Sequence, residues 1–414
     1  MSKPQIFLLL LVILSSCTDF REKLIYEFPS YQLIHPLTIE THLPVVNIEV
    51  SQVQYDYMYE NFEEDINIYG TLSIYRNQEL VFEAGNTRFG IKGGASRFYD
   101  LKSIGIRFEE PQINDGRNII NNYDLLPFHN IDLLESIRLR NSGNDFNIAR
   151  NATMIKDISY TRMAIDAGLN LDLMYAEQAV VFVNNRFLGV MNLRTESTAR
   201  GISRKYNTTP DQISLMKVSP AQEGGIDIEV QNGRYHKIKT FLEAIENQNL
   251  NFLLNEIDIP NFIDYIIFNT FIGNSDWPHN NVKVFAIGDG LFRFFMFDLD
   301  HSNLLHKTQE PLSFLERVRK NPVSDLFFIL YENEEFKTTF YDRYIELLSS
   351  GVLHPEVFTE ITTQHYKNIE NVMPFHIERY RQPSAMAEWY RNIELLNVQF
   401  QQRAEYMEQL MIEQ

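Results

Sequence analysis

The feature that most constrains this chain is a change in hydrophobic period along its length. Between residues 45 and 108 apolar residues alternate with polar ones in short runs broken by Gly, Asn and Asp. Beyond about Pro322 they recur every three or four positions. A period of two suits a strand with one buried face, and a period near 3.6 suits a helix with one buried stripe. A strand-rich front and a helix-rich back give an α+β chain, with two lobes and a cleft between them as the expected arrangement. Its 414 residues, 44% apolar and 13% aromatic, suffice for a large core and exclude a disordered type.

The pattern predicts strands over 45–50, 70–76, 80–84, 87–92 and 103–108, and a short helix with a Tyr-rich face over 51–64. A first long helix is predicted over 144–167, beginning at Asn144 or Asp145 and stopped by Gly168. Strands over 178–183 and 187–193 flank Asn184-Asn185, a good hairpin turn because Asn tolerates positive φ. Helices are expected over 234–247 and 261–271, and a second hairpin joins 282–287 to 291–299 across Gly288-Asp289-Gly290. After Pro322 the pattern is helical throughout, ending in a long helix over 385–411.

The N-terminus carries Lys3, an apolar run over 6–14, and then Ser15-Ser16-Cys17, the layout of an export signal. The run is too short to span a bilayer core of about 30 Å as a permanent helix. Leu14-Ser15-Ser16-Cys17 resembles the bacterial lipobox, whose cysteine is lipidated and becomes the new N-terminus; the alternative is a core cysteine after an apolar strand. The expected organisation is a signal peptide over 1–16, a tether over 17–43 after lipidated Cys17, and one domain over 44–414. That places the protein in the cell envelope, lipid-anchored outside the cytoplasm. Cys17 is the sole cysteine, so a lipidated body would have no thiol for disulfides or metal ligation. The net charge of −18 argues against nucleic-acid binding, which needs clustered Lys and Arg. It serves solubility, or would suit a basic protein partner.

Two segments place polar residues beside strongly apolar elements: Asn274-Ser275-Asp276-Trp277-Pro278-His279-Asn280-Asn281, and Phe297-Asp298-Leu299-Asp300 at the end of an apolar strand. Residues two apart on a strand face the same side, so Asp298 and Asp300 would converge. Two such charges need a compensating donor or cation, and Mg²⁺ with oxygen ligands would serve. An Asp, an Asn five positions on, and a strand-end Asp after a hairpin is an arrangement that phosphoryl transfer uses. Asp276 would orient an acceptor hydroxyl, and Asn281 and Asp298 would hold the metal. Each could equally be an Asx turn or a helix cap. His279 lacks the neighbouring His or Cys that a zinc site needs. A Walker-type loop and a Gly-x-Ser-x-Gly elbow are both absent from the sequence.

These segments belong to an ordered set that resembles the CotH family of atypical protein kinases from about residue 43 to the end. Residues 43–58 resemble the family's first strand and helix, Ile91-Lys92-Gly93-Gly94-Ala95-Ser96 its Arg-Gly-Asn-Ser loop, and Leu101-Lys102-Ser103 its Lys-Lys-Ser-Tyr strand. Leu139-Arg140-Asn141-Ser142-Gly143-Asn144-Asp145 and Ile155-Lys156-Asp157 are similar to its Leu-Arg-Asn-x-x-x-Asp and Arg-Asp helix motifs. Val183-Asn184-Asn185-Arg186-Phe187-Leu188-Gly189-Val190 is similar to its Ile-Asn-Gly-x-Tyr-x-Gly-Val hairpin, and Trp389 and Arg403 to its tail.

The resemblance implies an atypical protein-kinase-like bilobal fold that uses ATP and Mg²⁺ (or Mn²⁺) to phosphorylate Ser or Thr of exported proteins. It assigns Asp276 as the catalytic Asp, Asn281 and Asp298 as metal ligands, and Asp300 as an assisting or structural residue. Lys102, with Lys92 as second choice, is the expected phosphate contact. The Gly93-Gly94 backbone would approach phosphates or form a plain turn. The chain departs from the pattern at Lys92-Gly93 and Leu101-Lys102, at Glu196, displaced by one position, and at His301-Ser302-Asn303, which lacks a nearby Gly. The other function expected of such a chain is a non-catalytic surface module binding a protein or glycan.

Overall fold

The structure, a computed structural model, describes residues 30–121, 132–147, 151–302, 310–318 and 320–412. Cys17 and the apolar run before it lie outside them. Strands β1 (Val45–Val50), β2 (Asn67–Arg76), β3 (Glu79–Lys92), β4 (Ser103–Ile113) and β5 (Leu133–Arg140) pair antiparallel in chain order. Beyond a second, short sheet strand, β6 (Asp172–Leu173), come β7 (Ala176–Val183) and β8 (Arg186–Arg194). β8 pairs with β5, and β7 runs parallel to β1, closing a seven-stranded barrel. Val46, Ile48, Leu72, Ile74, Phe89, Ile104, Ile137 and Leu139 are buried. Each such side chain contributes roughly 1.5–3 kcal/mol through removal from water. The β7–β8 turn is the one expected: Asn184 and Asn185 have φ of 50° and 62°.

A second sheet has the order β10-β9-β11-β12-β6, with β9 (Ile213–Pro220), β10 (Ile226–Asn232), β11 (Val282–Ile287) and β12 (Arg293–Met296). Against it packs the helix Ile259–Phe271, apolar on all sides and buried from Asn261 to Phe271. Asp258 caps its start by accepting from the Asn261 N–H at 3.1 Å. At its other end Arg403, from the last helix Met386–Ile412, donates to the carbonyls of Phe271 (2.8 Å) and Thr270 (2.7 Å). A buried cation there satisfies the orphan carbonyls and complements the helix dipole. The loop that follows therefore leaves from a fixed point. The strand-rich front and the helical back after Pro322 are as the periodicity predicts. Among the described residues, no helix is long and apolar enough to cross a membrane.

The structure differs from the predicted elements in several places. The helix over 144–167 is helical only from Lys156 to Asp166, with a 3-10 turn at Gly143–Phe146. The buried Asp145 carboxylate accepts from the Thr153 N–H, the Thr153 hydroxyl and the Lys156 N–H, closing a loop where a helix would run. Asn151 and Met154, at φ of 56° and 65°, exclude a continuous helix, and Gly168 does terminate the short one at φ 63°. The two strands over 80–84 and 87–92 are one strand with an irregularity beside Asn86, where φ is 50°. The strand over 291–299 stops at Met296, and β5, β9 and β10 were not predicted. Residues 30–43, expected to belong to the tether, pack on the body. Ile39 and Leu43 are buried, and the Tyr31 N–H donates to Glu378 at 3.0 Å.

Candidate functional site

The loop after the buried helix is held by its own amides. Asn274 donates to the Asn269 side chain at 2.9 Å and accepts from the Asp276 N–H at 3.3 Å, an Asx turn. Trp277, fully buried, donates to the Tyr265 hydroxyl at 2.9 Å and anchors the loop beyond Asp276. Asn280 and Asn281 each donate to the same oxygen of Asp276 at 3.0 Å, and His279 lies 3.5 Å from the other. Burial raises the Asp276 pKa, but the His279 contact, the nearby His301 and the Asn280 hydrogen bond outweigh it and leave it below the ordinary value. Asn281 takes φ 56°, a conformation Asn accepts readily. With its NH₂ on Asp276, its amide oxygen is the atom left for a cation.

Asp298 and Asp300 do converge, though not by strand alternation. Both lie beyond β12, and Asp298 has φ 64°. What joins them is Arg140, the last residue of β5. Its Nη2 donates to Asp298 and, at 2.8 Å, to Asp300. Asp300 is buried and also accepts the Asn144 N–H at 2.8 Å, so Arg140 and Asn144 hold it in place. Asp298 is about one-third exposed, its side chain 34% accessible. Burial raises its pKa; Arg140 opposes this, Asp300 adds to it, and the carboxyl is pushed up to about 6. Asp157 lies behind the pair. It accepts from the Leu299 N–H at 2.7 Å and from Arg194 at 2.7 Å, with Arg140 3.6 Å away.

The two acidic segments are tied to each other. Ser275 donates through its hydroxyl to the carbonyl of His301 at 3.1 Å. The β11–β12 ladder has Lys283 opposite Phe295, so Asn281 and Asp298 lie just beyond neighbouring ends of two paired strands. The loop bearing Gly93 and Gly94 and the strand after it join the same assembly through buried Asn141, which donates to the carbonyls of Ser96 (3.5 Å) and Leu101 (2.6 Å) and accepts from the Ser103 hydroxyl at 2.9 Å. Tyr99 also donates to Asn144 at 3.0 Å. Gly93 has φ 121°, and a side chain there would meet the Ser96 hydroxyl. Above Gly94 there is open space, which a phosphate could occupy.

The two lysines are directed elsewhere. Lys102 donates to the carbonyls of Arg97 (2.7 Å) and Tyr99 (2.9 Å), and its ammonium stands 4.0 Å from the Phe62 ring centroid. Lys92 packs its stem over Gly105 and lies 3.5 Å from Asp65. Glu196 is past the end of β8, paired with Arg138 at 2.9 Å. The sequence assigns no site role to Arg140, Asn144 or Asp157. The available signal was Arg140 itself, a cation closing a strand whose Leu134, Ile137 and Leu139 are core residues. Such a cation needs a buried carboxylate.

Among the described residues, no three His, Cys, Asp or Glu side chains form a ready metal cage. Mg²⁺ does not require one, since it keeps water and binds through one or two carboxylates and substrate phosphates. The Asn281 oxygen and partly exposed Asp298 fit that pattern. Fold and site together define a mixed α+β protein whose candidate site is built of carboxylates, amides and one guanidinium. The chain belongs to the CotH kinase protein family, whose model matches residues 89–407. That membership suggests a kinase-like activity. No curated protein matches the chain.

Proposed function

We propose that the protein is an ATP- and Mg²⁺-dependent (or Mn²⁺-dependent) kinase with a bilobal, atypical protein-kinase-like fold, which phosphorylates Ser or Thr of exported proteins. The carrying observation is the Asp276–Asn281 pair, hydrogen-bonded at 3.0 Å on a loop tied through Ser275 and His301 to the segment bearing Asp298. Asp276, kept ionised below the ordinary carboxylate range, orients the acceptor hydroxyl and takes its proton. The Asn281 oxygen and Asp298 would hold the metal. Bound Mg²⁺–ATP supplies the phosphoryl group and neutralises its charge. The Gly93-Gly94 backbone would cover the phosphates. The lipobox-like Leu14-Ser15-Ser16-Cys17 supports anchoring in the cell envelope, facing away from the cytoplasm, and the acidity of the chain suits a basic substrate.

The test is transfer from labelled ATP to a generic basic protein in Mg²⁺ or Mn²⁺. Asp276→Ala should lose transfer and keep nucleotide binding, whereas Asp298→Ala should lose the metal-dependent part of binding. Absence of both transfer and a nucleotide-induced thermal shift in the native protein would refute the reading. A non-catalytic module is favoured by two observations: Arg140 already engages both carboxylates, and the Lys102 ammonium is held by carbonyls. Under that reading Asp276→Ala and Asp298→Ala change nothing that the protein binds.

A further inference from the structure

The Tyr-rich helix of the N-terminal part has no role in the acidic site. Over Gln52–Glu60 it places Tyr55 and Tyr59 one turn apart, with ring centroids 5.3 Å from each other, and Asp56 and Glu60 in the same spacing beside them. This helix forms one wall of a cleft of ≈ 680 Å³. Tyr31, Arg186 at the β7–β8 turn, and Arg379 on the helix Met373–Tyr380 also line it. The cleft's lining shares no residue with the Asp276, Asp298 and Arg140 cluster.

Its chemistry is specific. Arg379 donates to the Phe187 carbonyl and stacks over the Tyr31 ring at 5.4 Å and the Tyr380 ring at 5.2 Å. Arg186 and Asp56, both exposed, line the cleft. The Tyr55 hydroxyl is buried in the wall and has no hydrogen-bond partner among the described residues, an arrangement that costs stability unless something satisfies it. Two carboxylates balance two guanidinium groups, which disfavours a phosphate or another polyanion. Four charged groups likewise disfavour an acyl chain. Aromatic faces bordered by both strong acceptors and strong donors match a ring that carries many hydroxyls, because each hydroxyl both donates and accepts. The volume is within the range of small-ligand sites.

We propose that this cleft is a saccharide-binding site, taking one or two rings of an uncharged glycan against the Tyr31 ring and between the polar side chains of Asp56 and Arg186. It is independent of the kinase reading. The experiment titrates the purified full-length chain with disaccharides of glucose, mannose and N-acetylglucosamine, read by calorimetry and saturation-transfer NMR. At least one disaccharide should give saturable binding. Asp56→Ala and Arg186→Ala should each weaken it about tenfold. Tyr31→Ala, which removes the ring but keeps the backbone hydrogen bond to Glu378, should weaken it as well. Asp276→Ala should bind as the native chain does. The proposal is overturned if no disaccharide in the set binds saturably, or if binding survives unchanged in all three cleft variants.

Discussion

The Asp157 carboxylate accepts the backbone N–H of Leu299 at 2.7 Å, so the helix Lys156–Asp166 fixes the segment that carries Asp298 and Asp300. Its other oxygen takes the buried Arg194 at 2.7 Å. Asp157→Ala would strip both partners at once, leaving a buried guanidinium and a buried N–H unpaired. The expected loss is about 3–5 kcal/mol of unfolding free energy, measured by urea titration. A loss below about 1 kcal/mol would mean that water replaces the carboxylate without cost.

Arg140 and a metal ion would compete for Asp298. In Arg140→Gln the two carboxylates lose their internal cation, and stability should fall by about 3–5 kcal/mol without metal. Magnesium would then recover more in the variant than it adds to the native protein. Thermal denaturation with and without Mg²⁺ measures this, with Arg140→Lys as a milder companion. Equal Mg²⁺ shifts in native and variant proteins would show that no cation reaches Asp298.

Much of the fold was legible because periodicity reports which face of an element is buried. β1 and β11 have the predicted ends, and the Asn184-Asn185 turn was set by two residues that tolerate positive φ. One difference comes from the capture of backbone by a polar side chain. Asp145 draws Thr153 and Lys156 into a loop, although a helix is predicted from Asn144 or Asp145 onward. β5 was hidden because it ends in Arg138 and Arg140, whose charges are neutralised by Glu196, Asp298 and Asp300 far along the chain. In the site, Asp276 and Asn281 were legible as a local spacing. The partners of Asp298 were not, since β5 and the turn after it meet that segment only in three dimensions.

Asp172 gives stability a pH dependence that originates away from the candidate site. On β6 it accepts from Lys205 (2.7 Å), the Tyr206 hydroxyl (2.7 Å) and Arg293 (2.8 Å). Burial raises its pKa, but Lys205 and Arg293 outweigh that and hold it at about 2. A carboxyl depressed on folding stabilises above its unfolded value near 4, and the contribution fades as pH falls toward the folded value. Stability should therefore drop on acidification from about pH 4 to 2, by an amount of order 2 kcal/mol from this group. Asp172→Asn should be less stable at neutral pH and show a shallower acid slope. An unchanged slope in urea midpoints across that window would assign the acid sensitivity to other carboxylates.

Gly143 and Gly94 separate the supports of the site from its open side. Gly143 has φ 58°, and a Cβ there would collide with the Asp300 carboxylate and the Arg140 guanidinium. Gly143→Ala should cost about 1–2 kcal/mol from the left-handed backbone alone. It should cost more through displacement of Asp300, and metal-dependent nucleotide binding should be lost with it. Gly94 has no neighbour within 4 Å of an added Cβ. In Gly94→Ala the melting temperature should stay near native, while a methyl group enters the space proposed for phosphate. Nucleotide affinity, followed by calorimetry with Mg²⁺, should then fall about tenfold. Native affinity in Gly94→Ala alongside lost affinity in Gly143→Ala would place the phosphates away from the Gly-rich loop and against the Arg140 side of the site.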